Sequence, residues 1–334
     1  MIDLKDITFV LQGAIDKKHT PRCIDAIKTL FPQSVILLST WEGTDTSNYQ
    51  CDKIILSKDP GGFKDKIHYT FVNNLLRQLV STQAALQQVE TKYTVKMRTD
   101  ILFRNKNFLK FFDKFDKYEP EYKIFDKRIV TLSFFSKRFL TSVDCSFRIE
   151  PTPYQISDWF AFGLTEDIKK LYMIKLPEEP KTTEYFYKYS GTKFDKNAIW
   201  CSHQYSPEQY IVYNAFKQQK NDIKPFENYL DYNNDNIDES EHLVINNFTI
   251  ISPKELGIVC LKERTNNNID FYRRWCEHPL TMPFFVWNGL YRRFVFEKLY
   301  KEFCDKNYNI PLKVIANEYI ERLLIARGRK CIIL

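Results

Sequence analysis

The stretch TKYTVKMRTD, residues 91–100, decides how this chain is to be read. Tyr93 to Met97 has the length and apolar character of a buried strand, and it runs directly into Arg98, Thr99 and Asp100. Just before it, residues 71–89 place Val72, Leu75, Leu76, Leu79, Val80, Leu86 and Val89 on the core side of a long helix. A helix that delivers a short apolar strand ending in charge is a building block of layered α/β domains.

Toward the amino terminus the same alternation repeats. Lys53 to Leu56 is a third strand, stopped by the turn signal Lys58-Asp59-Pro60-Gly61-Gly62. Ser34 to Ser39 is a second buried strand, followed by a polar loop from Thr40 to Asn48. Thr20-Pro21 reads as an N-cap with proline in the first helical position, and Ile24, Ile27, Leu30 and Phe31 share one face behind it. Ile7 to Leu11 is the first strand, ended by Gln12-Gly13. The order β-α-β-β-α-β predicts an α/β domain with a largely parallel sheet, whose ligands lie beyond the carboxyl ends of the strands.

Beyond residue 105 the pattern is weaker. Lys106 to Tyr122 reads as a helix with a basic surface, Ile129 to Phe135 as a strand, and Ser157 to Leu164 as an aromatic strand. A helix capped by Thr165 follows, with Glu166 and Asp167 in its first turn. Lys175 to Ala198 is a loop, Ser206-Pro207-Glu208-Gln209 opens another helix, and Asp231 to His242 is an acidic, mobile connection. The last fifty residues look helical and basic.

Composition bounds the function. With 334 residues, 44% hydrophobic and 16% aromatic, the chain can bury a large core. Lys plus Arg number 49 against 42 Asp plus Glu, a net charge of +7, which suits phosphate-bearing ligands or an anionic membrane surface and is too small to argue for nucleic acid. None of the 8 cysteines forms a C-x-x-C pair, which fits reduced thiols in a cytoplasmic protein. The 5 histidines lack metal-ligand spacing, and Cys201-Ser202-His203 alone does not make a zinc site. The opening MIDLKDITFVLQG has acids where a signal peptide needs bases, and no run approaches the roughly 20 apolar residues of a membrane span.

Four predicted strand ends bring polar residues to one edge: Gln12 and Gly13; Thr40, Trp41, Glu42 and Asp45; Asp59; and Arg98 to Asp100. On residues 39–47 (STWEGTDTS) and 73–100, ending KMRTD, the chain resembles glycosyltransferases of the GT-A type. FVLQG, STWEGTD, KDPGG, RQLVST, KMRTD and SDWFAFGLTED together resemble the bacterial WavE-like family of lipopolysaccharide and capsule enzymes, over roughly residues 5 to 215. The resemblance implies an α/β, GT-A-like (Rossmann-like) fold: a mixed, mostly parallel sheet, helices on both faces and a helical carboxyl-terminal region. Residues 1–230 would form the nucleotide-sugar-binding and catalytic domain. Residues 231–334 would be a mainly helical extension completing the acceptor side.

The implied reaction moves a sugar from a nucleotide donor, expected to be a UDP-sugar, to a cell-surface glycan, with inversion slightly favoured. Charge grows on the diphosphate as the glycosidic bond breaks, and a divalent metal (Mn²⁺ or Mg²⁺) with cationic side chains can stabilise it. Asp100 matches the final Asp of the D-x-D motif and is the expected metal or donor contact, while Arg98 stands where the first Asp would be. Asn74 and Arg77, with Gln78 and Ser81, form a polar helical stripe opposite the leucines, and the resemblance places Arg77 near the diphosphate. Gln12, Glu42 and Asp59 fall to the nucleoside, with Trp41 placed to stack and Gly13 among the donor-binding residues. Asp158 matches the acceptor-side acid and is the expected general base, and Glu208 is a donor or acceptor contact. The segment NGLYRRFVFEKLYKEF, residues 288–303, has the basic and aromatic character of a helix lying on a membrane, as a lipid-linked acceptor would require.

Each assignment has an ordinary structural counterpart. Arg98 and Asp100 can pair with each other, strand-end polar residues are common turn formers, and the helical stripe can be a solvated face. A Ser206/Gln209 capping box explains much of SPEQY, and Glu166 and Asp167 suit any helix start. A nucleotidyltransferase would want a richer Gly/Lys loop than LQGAIDKKH. A basic, aromatic-rich binding module without catalysis is the remaining alternative, although scattered Asp residues interrupt any basic stripe.

Overall fold

The strands of this chain are short apolar runs, and the central seven are only four to seven residues long. The structure is a computed structural model that describes residues 2–65, 72–141, 149–179, 181–189, 202–261 and 284–291. In chain order the strands are β1 (Ile7–Gln12), β2 (Val35–Trp41), β3 (Lys53–Ser57), β4 (Phe63–Lys64), β5 (Val72–Asn73), β6 (Tyr93–Arg98) and β7 (Ile101–Phe103). They continue with β8 (Ile129–Leu132), β9 (Phe139–Thr141), β10 (Ile149–Pro151), β11 (Phe160–Leu164), β12 (Phe248–Ile251) and β13 (Ile258–Cys260). The helices are α1 (Thr20–Leu30), α2 (Leu75–Leu86), α3 (Thr165–Tyr172), α4 (Pro207–Gln219), α5 (Asn234–Asn247), α6 (Pro253–Leu256) and α7 (Phe284–Tyr291).

Seven strands form one sheet in the order β12-β8-β11-β6-β1-β2-β3. Pairs β6/β1, β1/β2, β2/β3 and β8/β12 are parallel, whereas β11 runs antiparallel to both β6 and β8. The sheet is therefore mixed and mostly parallel, with α/β character as the alternation predicts. Side chains alternate between two cores. Val10, Leu37 and Ala161 pack on one face with Leu79 of α2, Ile168 of α3, Phe216 of α4 and Leu243 of α5. Phe9, Leu11, Val95 and Phe160 pack on the other with Ile24 and Ile27 of α1. Phe31 and Phe103 complete that second core, with ring centroids 4.9 and 5.5 Å from Phe9.

Several local expectations need correction. The long helix starts at Leu75, not Phe71, because Val72–Asn73 pairs with Phe63–Lys64 and the Asn73 Oδ1 accepts the Leu75 N–H at 2.8 Å. Val72 is consequently exposed. Thr20 and Thr165 are first helical residues rather than caps; Thr165 uses its hydroxyl to donate to the Thr91 carbonyl at 2.6 Å. Lys106 to Tyr122 holds only the 3-10 turns Asn107–Phe111 and Pro120–Tyr122. Its carbonyls at Phe115 and Lys117 are met by the buried Arg128 guanidinium at 2.7 and 2.8 Å, so no continuous helix is needed to satisfy them.

The acidic connection is instead the start of α5. Asn233 and Asn236 form a reciprocal capping box that fixes the helix entry, a pairing hidden in a stretch whose polarity resembled disorder. Beyond residue 230 the chain supplies α5 and α7 but also β12, the outer strand of the sheet, so the sheet draws on both sides of the boundary expected there. Arg292, Arg293, Lys298 and Lys301 of the basic aromatic segment lie outside the described residues. Among the described residues no helix is long and apolar enough to cross a membrane.

Candidate active site at the carboxyl edge of the sheet

Parallel pairing puts the ends of β1, β2, β3 and β6 on one edge, and register fixes their neighbours: Gln12 lies beside Ser39 on one side and Arg98 on the other. α2 crosses this edge. The Ser39 hydroxyl donates to the Ser81 carbonyl at 2.7 Å, and the Ser81 hydroxyl donates to Gln12 Oε1 at 2.9 Å. The stripe Asn74, Arg77, Gln78 and Ser81 thus runs from a solvated margin into the interior. Ser81 is buried, Gln78 Nε2 donates to the Asp158 carbonyl at 3.2 Å, and Arg77 reaches Asp59.

At the margin between β3 and α2, Arg77 grips Asp59 through two hydrogen bonds, Nε to Oδ1 and Nη2 to Oδ2, both 2.8 Å. Its Nη1 donates to Asn74 Oδ1 at 3.1 Å, and the Gly61 N–H donates to Asp59 Oδ1 at 2.9 Å. The bonds to Arg77 hold the Asp59 carboxyl below its ordinary value, and Asp59 in turn raises Arg77. The Glu42 N–H donates to the Ser57 carbonyl at 2.9 Å, while the residue itself is exposed and Trp41 is half-buried. Gly13 has φ 107°, a conformation that favours glycine, and a Cβ there would meet nothing within 4 Å. The space beside the end of β1 is open.

The centre of the edge is built differently. Because β11 is antiparallel, its beginning reaches the edge, and the Arg98 N–H donates to the Trp159 carbonyl at 3.3 Å. The Arg98 guanidinium lies 3.7 Å from the centroid of the Trp159 ring and pairs in bidentate fashion with Asp100, Nε–Oδ1 3.0 Å and Nη2–Oδ2 2.7 Å. Burial opposes the Arg98 charge, but Asp100, Cys260 and Asp158 outweigh it and raise its pKa.

A divalent metal needs a set of hard oxygen ligands. Asp100 is buried with both oxygens taken by Arg98, and the Cys260 thiol stands 3.8 Å from Oδ2. Among the described residues, no group of three or more His, Cys, Asp or Glu could hold a metal ion. A neutralised carboxylate beside a guanidinium does not fit the expected Mn²⁺ or Mg²⁺. The nearest approach to a metal cluster in the sequence offers no more. Cys201 lies outside the described residues, and buried His203 has its pKa lowered by burial against the pull of Asp65.

Beside the Arg98–Asp100 pair lies a group of buried charges. Asp158, just before β11, is 7% exposed, and its Oδ1 has no hydrogen-bond partner. Glu208, in the first turn of α4, is 8% exposed, with Gln155 and Ser206 in hydrogen-bonding reach. The capping box of Ser206 and Gln209 is present as expected, so the helix start carries Glu208 without needing its carboxylate as a cap. Burial, and then the charge of Asp158, push Glu208 up to about 7. Lys96 is wholly buried, donates from Nζ to the Asp158 carbonyl, and lies 4.8 Å from the Tyr172 ring centroid.

The geometry therefore brings together Asp158, Glu208, Arg98 and Asp100, links Gln12 and Gln78 to them through α2, and leaves Asp59, Arg77 and Glu42 at the open margin. Sequence reading missed Lys96. Its signal was a lone cation inside the apolar run YTVKM, at a position where strand alternation points into a core. Among curated proteins, none matches this chain. The profile described as WavE lipopolysaccharide synthesis matches residues 7–319, and the chain belongs to that family.

Proposed function

We propose that this protein is a GT-A-like glycosyltransferase that moves a sugar from a nucleotide-sugar donor, a UDP-sugar, to a lipopolysaccharide or related glycan. One observation carries the reading: the Asp158 carboxylate is buried at the sheet edge with an oxygen that no donor satisfies. Buried polar groups without partners are rare, and at a ligand edge such an oxygen is matched by a substrate hydroxyl.

In the proposed reaction an acceptor hydroxyl gives its proton to Asp158 as its oxygen bonds to the anomeric carbon. The bond from that carbon to the diphosphate oxygen breaks, and its electron pair leaves with the nucleoside diphosphate. Attack opposite the leaving group inverts the anomeric centre. Arg98 and Arg77 meet the growing diphosphate charge, Arg77 by exchanging Asp59 for phosphate oxygens at the exposed margin. Gln12, Glu42 and Asp59 serve base and ribose, and Trp41 supplies a stacking face. Glu208, raised toward neutrality, holds a proton beside the base. No step is assigned to a metal.

Thermal shift with UDP, CDP, GDP and ADP, each with and without Mn²⁺, tests the donor site. A selective UDP shift that does not depend on Mn²⁺ is expected, and it should survive in D158N while release of UDP from UDP-sugars is lost. A protein that responds to none of the nucleotides is not this enzyme.

A further inference from the structure

Lys96 has no task in the chemistry proposed above. It stands in the middle of β6 with Val10 and Ala161 as register partners, on the face that packs against α2 and α3. A buried ammonium is strongly disfavoured relative to an apolar chain of similar length unless its charge is used. Its Nζ donates to the main-chain carbonyl of Asp158, which also receives Gln78 Nε2 at 3.2 Å. Two elements, β6 and α2, thus hold one carbonyl, while the Oδ1 of the same residue keeps no partner.

The titratable groups around this ammonium are few. Asp158 faces it from the entry to β11, Arg98 lies two residues along β6, and Tyr172 packs from α3. α4 brings Glu208 against Asp158, and α2 contributes the neutral Gln78. Burial pushes the Lys96 amine down to about 8, with Asp158 pulling the other way and Arg98 adding to the fall. The ammonium therefore still carries its charge at neutral pH. Lys96, Asp158 and Glu208 follow one another from β6 through the start of β11 to α4.

We propose that Lys96 is a positioning residue for the general base: it clamps the Asp158 backbone, and its charge assigns the proton of the Asp158–Glu208 pair to Glu208, leaving Asp158 free to accept another. This rests on the reading of Asp158 as the base. Methionine has nearly the same length and no charge, so a residue needed only for packing would be replaced by it without harm.

The test uses K96M and follows the infrared band of protonated carboxylic acid through the neutral pH range. In the wild type the band that E208Q abolishes is expected to titrate near 7. In K96M its midpoint should move up by about one unit or more, because a cation near the pair has gone. UDP release from UDP-sugars should fall by about tenfold or more. Q78L, which loosens the same carbonyl without removing charge, should lower turnover and leave the midpoint in place. An unmoved midpoint in K96M overturns the role. The infrared titration needs no substrate, so its result stands apart from the donor test. A wild type that binds UDP with an unmoved K96M midpoint sinks this proposal alone, and a wild type that binds no nucleotide sinks the transferase reading.

Discussion

At the margin between β3 and α2, Asp59 and Arg77 make their two hydrogen bonds in the open, with side chains 39% and 36% exposed. Some strands away, Lys96, Asp158 and Glu208 lie at 0%, 7% and 8% exposure, with an unpaired carboxylate oxygen among them. The first arrangement is weak and exchangeable: an exposed ion pair contributes about 0–1 kcal/mol, so a phosphate can displace the carboxylate without stranding a buried charge. The second is costly, since every ion taken from water must be repaid by partners that are only partly present. Folding alone gives no reason to keep it. One edge of a sheet thus carries an exchangeable ion pair and, apart from it, a costly group of buried charges.

Substitutions can break or sharpen this contrast. The largest effect is expected for D158N, which should lower transfer by about 10²–10⁴-fold, measured as UDP release, while the UDP thermal shift persists. R98A should come next. It strips a deeply buried Asp100 of both hydrogen bonds and is expected to cost about 3 kcal/mol in urea unfolding, with weaker UDP binding besides. E208Q should act through pH. Glu208 is raised from 4.5 to about 7, so the folded state holds the proton more tightly, and the wild type loses stability as pH rises through that window. E208Q should flatten this fall, a difference on the order of 2 kcal/mol by pH 7, seen as a smaller drop in melting temperature. D59A should be the mildest, within about 1 kcal/mol in stability, whereas R77A should match it in stability yet weaken UDP binding by about tenfold. Equal UDP affinity in R77A and wild type would remove the margin from the donor site.

The fold was legible wherever hydrophobic period dominated. The first four central strands and the helices between them follow from runs such as Ile7 to Leu11 and the leucines of α2, since burial of one face sets both their type and order. Legibility ended where tertiary partners decide. Asn233 caps α5 through a reciprocal bond with Asn236, and a polar string does not reveal which of its residues will find each other. Pairing with Phe63–Lys64 holds Val72–Asn73 extended against its helical pattern. Within the candidate site, strand ends named the edge but not the environment. Asp158 and Asp100 look alike in sequence. One ends with an oxygen unpartnered and the other gripped by Arg98 on both oxygens, because only the antiparallel β11 brings Trp159 over the guanidinium. Glu208 could be read as a helix-start acid, but its elevated pKa comes from burial first and then from Asp158, fifty residues away in sequence.

The reversed direction of β11 has a consequence for how the edge is supplied by the chain. Asp158 reaches the edge at the start of its strand, so the chain that leads to it is the whole segment from the end of β8, residues 133–159. The Asp59–Arg77 margin is made from the first hundred residues, and little of it passes through that segment. Substitutions in residues 149–156 would therefore act on the approach to Asp158 and leave the Asp59–Arg77 margin as it is. A single antiparallel strand thus gives one sheet edge two separate sources in the chain.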